Sequence, residues 1–336
     1  MRRTALHEKV ARERQDNTLP MSELIGFLAP FLLAMACFPG VTHRGPTSSM
    51  QAGLLLGSCV LMQLSPWMIP ADEPVLRFLA AISAALTAIK VIDAWVEHRR
   101  GAAQTHSEFF AFLANPFTLV RRCLPLERPV RRRDNILRVI FGAAGCAVGI
   151  TLLDRLFGVD WQDGTFIFEH ISKVTSLMVA IVCGLSAATA LWRLSGGTAR
   201  DYMDQPFAAR TPADFWRRYN RNVQQFFWED VFKPLGGHRA PVRTTLLVFG
   251  LSALLHELIF YAAIGRVQGY QTAFFALHGV ASAMTLRIRL RNGWAAIPWI
   301  VATLVFNLVS SVFFFASIHE VTPFYARGLP GWLQGW

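Results

Sequence analysis

Charge is scarce in this sequence. Only 16% of its 336 residues are Asp, Glu, Lys or Arg, while 53% are hydrophobic. Soluble domains carry charge on about a quarter of their residues, so much of this chain has no ordinary aqueous surface to offer. The competing reading, a soluble protein with very apolar core helices, has to explain apolar runs longer than a core helix needs. Cysteine is sparse too: Cys37, Cys59, Cys123, Cys146 and Cys183 show no CxxC spacing, and all but Cys123 lie in apolar runs. That speaks against a disulfide framework and against a zinc site. No GxSxG elbow, Gly-rich phosphate loop, internal repeat or low-complexity linker is present. No small-residue cleavage site stands out after the first apolar run, so no removable signal peptide is expected.

What is present is apolar sequence in long stretches. Runs near 22–38, 51–69, 75–95, 136–156, 171–194, 243–264, 270–286 and 294–318 predict about eight spanning helices for a hydrocarbon layer about 30 Å thick. The expected fold class is all-α, a polytopic integral membrane helical bundle with additional interfacial helices. Residues 1–21 form a basic segment, cytoplasmic or interfacial, and 22–336 a single membrane-embedded domain.

The net charge of +11 is concentrated in connections, as expected of cytoplasmic loops. Segment 97–135 carries Arg99, Arg100, Arg121, Arg122, Arg128, Arg131, Arg132 and Arg133. Segment 196–241 carries Arg200, Arg210, Arg217, Arg218, Arg221, Lys233 and Arg239, and Arg287, Arg289 and Arg291 mark a third basic turn. The arginines form no single stripe with interleaved aromatics, so nucleic acid is not an expected partner. From residue 97 onward basic and acidic or short connections alternate. The basic N-terminus breaks the alternation, because three runs separate it from 97–135. Either one early run is re-entrant or the N-terminus faces outward. Run 75–95, holding Arg77, Lys90 and Asp93, is the weakest span.

Two segments read as interfacial. SEFFAFLANPF stops at Pro116. TPADFWRRYNRNVQQFFWEDVFKPLGG reads as one amphipathic helix, with Thr211 as cap, Pro212 at the first position and Asp214 as capping-box acid. Phe215, Tyr219, Val223, Phe226 and Phe227 share a face, and Pro234 with Gly236 and Gly237 ends it. Such a helix suits a membrane interface, and equally a surface helix packed on the bundle.

HELIFY, at 256–261, puts two ionisable neighbours inside an apolar run. A charge at mid-bilayer costs roughly 2.5–3.5 kcal/mol, and such residues face a bundle interior or watery cavity. Phe260 stands where a second zinc histidine would stand in HExxH. His256 therefore reads as a general base, with Ser252, four residues earlier, on the same face to hydrogen-bond it. A lone buried histidine satisfied by a neighbouring helix is the plainer alternative. A base in such a pocket needs a proton to remove, and a lipid-soluble alcohol attacking an acyl thioester supplies one. Glu257 points elsewhere on the helix and is expected to pair with a cation or polar group nearby. Two other function classes compete. A lipid transporter or scaffold would use His256 and Glu257 as a proton relay, but repeats are missing. A prenyltransferase or terpene cyclase would need aspartates for magnesium diphosphate, and DYMD at 201–204 has no second aspartate-rich block.

FWRRYN at 215–220, LLHELIFY at 254–261 and FFALHGV at 274–280 together resemble the wax-synthase branch of the membrane-bound O-acyltransferase family. The resemblance covers residues 211–291. It implies a funnel of helices around a buried chamber, with acyl-CoA entering from the cytoplasm and a hydrophobic alcohol from the bilayer. It implies His256 as catalytic base and Asn220 as the upstream polar residue. Trp216, Arg217, Arg218, Arg221, Phe227, Ser252, Glu257 and His278 follow as expected substrate-binding residues, with no metal and no cofactor beyond acyl-CoA as co-substrate. Plant-type members have a tryptophan before the asparagine and a glycine beside the paired aromatics, where this chain has Tyr219 and Arg217. The expected location is a bacterial inner membrane, basic loops cytoplasmic.

Overall fold

The computed structural model of the chain describes residues 21–42, 49–121, 130–162, 164–288, 290 and 293–334. The basic N-terminal segment, Arg122, Arg128, Arg289, Arg291 and Cys123 lie outside the described residues, and with them the question of which side the N-terminus takes. Among the described residues every element is helical. The chain is a polytopic membrane helical bundle.

Each predicted apolar run forms a helix: α1 (Met21–Ala36), α2 (Ser49–Leu64), α3 (Pro74–Arg99), then, after the short α4 (His106–Ala114), α5 (Arg132–Phe157) and α6 (Phe166–Leu194). After α7 (Pro212–Arg218) and α8 (Arg221–Phe226) come α9 (Pro241–Ile264), α10 (Tyr270–Thr285) and α11 (Ile297–Val321). Length separates them. Among the described residues, α3, α5, α6, α9 and α11 with its preceding turn are the five helices long and apolar enough to cross a bilayer. The helices α1, α2 and α10 have 16 residues each, about 24 Å at 1.5 Å per residue, short of a full hydrocarbon layer.

The weakest predicted span, α3, is half buried, more than any other long helix described. Its charges point into the bundle and are satisfied there. Arg77 Nε donates to the Ile69 carbonyl at 2.8 Å. Lys90 Nζ donates to the carbonyls of Phe112, Leu113 and Asn115, closing the C-terminal end of α4, where a helix leaves carbonyls unpaired. Asp93 accepts from the Arg121 backbone N–H at 2.8 Å. SEFFAFLANPF is thereby α4, begun by a capping box between Thr105 and Glu108 and packed through Phe109, Phe112 and Leu113 on α1 and α3.

The α5–α6 hairpin is held by small residues. A Cβ on Gly149 would lie 2.6 Å from the Ala180 backbone nitrogen, and one on Gly142 2.7 Å from the Cys183 carbonyl oxygen. Glycine permits this backbone contact between lipid-embedded helices. The outer face of α5 shows Ile140, Phe141, Val148 and Ile150 to the exterior. At one end the hairpin is tied to the following loop: Asp201 accepts from Arg138 at 2.7 Å and from Arg193 at 2.8 Å. Burial opposes the Asp201 charge, but these two guanidinium groups outweigh it and hold the carboxyl below the usual range.

At the other end, buried Lys173 pairs with Glu169 at 2.6 Å and donates to the Phe324 carbonyl at 2.7 Å. Glu169 also accepts from the Ala326 backbone at 2.8 Å. Those bonds seat the segment after α11 across that end of the bundle. The α9–α10 hairpin turns on Gly265 and Gly269, both left-handed at φ 76° and 78°. Gly279 of α10 lets Phe249 of α9 approach to 2.8 Å of where its Cβ would be.

Candidate active site

The expected single amphipathic helix over 211–237 is broken. Thr211 caps α7 by accepting from the Asp214 N–H at 3.1 Å. Asp214 reaches back to the Arg210 N–H at 3.2 Å, one residue before the position a capping box uses. The break falls at Asn220, which is left-handed at φ 45°. Asn is the residue best able to sit there apart from glycine. Its Oδ1 accepts from the Val223 N–H at 3.4 Å and so starts α8. The irregular segment beside it satisfies the backbone on both sides of the break: the Asp204 N–H donates to Arg218 O at 2.9 Å and the Arg221 N–H to Tyr202 O at 2.8 Å. After α8 the chain widens into a π-helical turn, Phe227–Phe232, an irregularity frequent at functional sites. The consequence is that the aromatic face looks into the bundle rather than along a membrane interface.

It looks into a chamber of about 460 Å³ lined largely by apolar side chains, a size suited to a small-molecule site. The face of α9 bearing Thr245, Phe249, Ser252 and His256 forms one wall, and α7, α8 and the π turn form a second. Faces of α10 and α11 close it. A groove of about 670 Å³ beside Arg243 and Arg287 is larger, but it is open to the outside and holds neither histidine.

His256 is held by one nitrogen. Its Nδ1 lies 2.8 Å from the Ser252 carbonyl oxygen. A carbonyl only accepts, so Nδ1 carries the proton and the neutral ring has its basic nitrogen at Nε2. The bond uses the Ser252 backbone, not the hydroxyl that the sequence suggested. Phe275 and Phe314 flank the ring, at 4.4 and 6.1 Å between centroids. Among the described residues nothing hydrogen-bonds Nε2.

His278, the second chamber imidazole, has both nitrogens committed. Trp216 Nε1 donates to its Nδ1 at 3.0 Å, its Nε2 donates to Ser310 Oγ at 2.8 Å, and Ser310 passes its proton to the Phe306 carbonyl at 2.6 Å. That chain ties α7, α10 and α11 together and fixes the Trp216 ring. A third buried histidine, His170, is committed in the same way, to Tyr325 Oη at 2.8 Å and the Leu308 carbonyl at 2.9 Å, and it does not line the chamber.

The remaining expected site residues divide. Asn220, Trp216, Arg217, Phe227, Ser252 and His278 line the chamber with His256, while Arg218, Arg221 and Glu257 do not. Arg218 lies 3.1 Å from Asp214 on its own helix. Glu257 accepts at one oxygen from the Thr272 N–H at 3.0 Å and the Thr272 hydroxyl at 3.2 Å. It caps the start of α10, where an acid is favoured, and this is the polar partner on a neighbouring helix expected for it. Asn222, two positions beyond Asn220, does not idle on the far side: its buried amide donates to the Phe117 carbonyl at 3.0 Å. Asn307 and Ser311 of α11 also line the chamber, as does Ser282 of α10, and none of the three is among the residues expected there from the sequence. The rule that singled out HELIFY, a polar side chain in an apolar run, applies equally to Asn307.

Comparison with known proteins places this geometry. Residues 163–316 match the family model of MBOAT, the membrane-bound O-acyltransferase family, a longer stretch than the three motifs span. The chain is 31% identical over 139 residues to an Arabidopsis thaliana protein described as probable long-chain-alcohol O-fatty-acyltransferase 2, covering 38% of this chain and 39% of that one. It is 29% identical over 173 residues to probable long-chain-alcohol O-fatty-acyltransferase 1 of the same plant, covering 45% and 48%. The chain thus spans less than half the length of these curated relatives. All the chamber-lining residues lie between Val174 and Phe315, inside the stretch that matches the membrane-bound O-acyltransferase family model, so the part of the chain that builds the chamber is the part similar to that family and to plant long-chain-alcohol O-fatty-acyltransferases.

Proposed function

We propose that the protein transfers an acyl group from acyl-CoA to the hydroxyl of a hydrophobic alcohol, with His256 as general base. The observation that carries the proposal is the contrast between the two chamber imidazoles: His278 is bonded at both nitrogens, while His256 is bonded only at Nδ1 and presents a basic Nε2. Fixing one nitrogen sets the tautomer and aims the other, the same division of labour that orients catalytic histidines elsewhere. The similarity of the chamber-building stretch to plant long-chain-alcohol acyltransferases supports the choice of reaction.

In the step itself the alcohol oxygen attacks the thioester carbonyl while its proton passes to Nε2. The C–O bond forms, the C–S bond breaks, and the proton moves from the imidazolium to the leaving thiolate. The products are an ester and free CoA thiol, with neutral His256 restored. Asn220 stabilises the oxyanion: its Oδ1 is engaged with the Val223 N–H, which turns the amide N–H₂ outward as a donor. The Phe-rich walls keep water from competing with the alcohol. The chemistry needs no cofactor beyond acyl-CoA. The donor approaches from the end carrying Arg217 and Arg287, taken as the cytoplasmic face of a bacterial inner membrane.

The test is ester formation by the purified protein from a labelled long-chain acyl-CoA and a long-chain primary alcohol. His256→Ala is expected to elute as a monodisperse, folded protein with transfer reduced at least about a hundredfold, the range of general-base contributions. Full turnover by a well-folded His256→Ala protein would falsify the mechanism.

A further inference from the structure

Two polar side chains in the chamber have no partner among the described residues. The side-chain nitrogen and oxygen of Asn307 and the hydroxyl of Ser282 are sealed from solvent and hydrogen-bond to nothing, yet both residues line the chamber. Buried polar groups in native proteins are satisfied as a rule, and an exception marks a site that something else completes. Two other polar groups of α10 and α11 in the chamber are already engaged: His278 with Trp216 and Ser310, and the Ser311 hydroxyl with the Leu308 carbonyl.

Their position follows from helix register. Phe275 of α10 and Phe314 of α11 both flank His256, and the two helices run antiparallel. Seven residues from each, 275 to 282 and 314 to 307, lead to Ser282 and Asn307, so these two share a level. The pairing of His278 with Ser310 falls between and confirms the register. Seven residues are about 10 Å along a helix axis. The displacement runs toward the end of α10 followed by Arg287 and the start of α9 bearing Arg243. A polar pair therefore lies about 10 Å along the helix axes from the level of the base, on the side of the basic residues.

We infer that Ser282 and Asn307 bind the pantetheine arm of the acyl donor by hydrogen-bonding one of its amides. The inference rests on the acyl-CoA reading above. Between a thioester sulfur and the second amide nitrogen of that arm lie seven bonds through S–C–C–N–C–C–C–N, roughly 9 Å when extended at standard bond lengths. A donor whose thioester sits at His256 and whose phosphates lie toward the arginines carries that amide to the Ser282–Asn307 level. A secondary amide presents one donor and one acceptor, and Asn307 offers both, with the Ser282 hydroxyl as a further donor or acceptor. An alkyl chain at this level would leave both side chains unsatisfied. The apolar acyl chain and alcohol accordingly occupy other parts of the chamber.

The experiment compares two donors, palmitoyl-CoA and the palmitoyl thioester of a simple alkanethiol, which has no amide. The proteins are the purified wild type, Asn307→Leu and Ser282→Ala, and the acceptor is a long-chain primary alcohol. Each variant is expected to raise KM for palmitoyl-CoA about tenfold, with kcat changed less than about threefold, and to leave kcat/KM for the simple thioester unchanged. Equal loss with both donors, or no loss with either, overturns the assignment. Asn307→Leu is expected to melt no lower than wild type, since it removes a group with no partner in the fold. A clearly lower melting temperature overturns the assignment as well, by showing that the amide serves the fold. A wild-type protein that makes no ester from either donor defeats the acyltransferase reading itself, and is thereby told apart from failure of this inference.

Discussion

A single proton decides what each histidine of this bundle can do. His170 and His278 sit between a donor and an acceptor, so neither ring has a nitrogen to spare. His256 faces only a carbonyl. Glu257 beside it does different work, because one helical step turns it about 100° away onto the N-terminus of α10. Replacement of Glu257 by Gln keeps an acceptor for the Thr272 N–H and is expected to cost less than about 1 kcal/mol of stability. Glu257→Ala leaves that N–H unpaired and costs about 1–3 kcal/mol. Melting curves beside single-turnover rates check this: both variants should retain a chemical step within about threefold of wild type once folded. A folded Glu257→Gln protein with the chemistry abolished would make the carboxylate part of the reaction.

The break between α7 and α8 is what brings FWRRYN into the chamber. A continuous helix would have carried Trp216 and Asn220 around its surface together. The left-handed Asn220, braced by backbone bonds from Asp204 and Tyr202, ends one helix and caps the next with the same side chain. Asn220→Gly should preserve this backbone, losing only a few tenths of a kcal/mol for the cap. Asn220→Ala loses the cap and holds a Cβ in left-handed conformation, costing about 1–2 kcal/mol more. Both remove the proposed oxyanion donor, so both should lower kcat about a hundredfold despite unequal stability. The pair thus separates the amide's chemical part from its structural part. Turnover near wild type in Asn220→Gly would leave the residue as a helix breaker and nothing more.

At the scale of the molecule, polarity is sorted by end. One end carries Arg217 at the chamber, Arg243 and Arg287 in the outward-open groove and Arg210 before α7, while the other is closed by the Glu169–Lys173 pair and the segment after α11. The proposed acyl-CoA donor, with its phosphates, would be drawn to the first. Arg217→Glu should raise KM for acyl-CoA several-fold at 0.01 M salt, where the screening length is about 30 Å, and far less at 1 M, where it is about 3 Å. Arg266→Glu, at the opposite end and paired with Glu320 at 2.6 Å, should leave KM unchanged. A salt-independent effect of Arg217→Glu would mean that its side chain acts by shape rather than by charge.

Hydropathy alone determined the all-helical membrane bundle, because a spanning backbone must satisfy its own hydrogen bonds and apolar run length reports that requirement directly. It also exposed His256 and Glu257, since ionisable residues in an apolar run stand out without any knowledge of neighbours. What it could not determine was which side chains meet. Arg77, Lys90 and Asp93 in α3 looked like a flaw in a span until the Ile69 carbonyl, the end of α4 and the Arg121 backbone proved to be their partners. Asn222 and Asn220 are the same residue type two positions apart, and helix geometry alone turns them to different sides, but only the folded chain supplies Asn222 with its partner, the Phe117 carbonyl. Asn307 lay unremarked in the last run, although register sets it level with Ser282 across the cavity. Such pairings depend on contacts between segments distant in sequence, which local periodicity does not encode. The tertiary structure decided which histidine keeps a free nitrogen and which amides face the chamber.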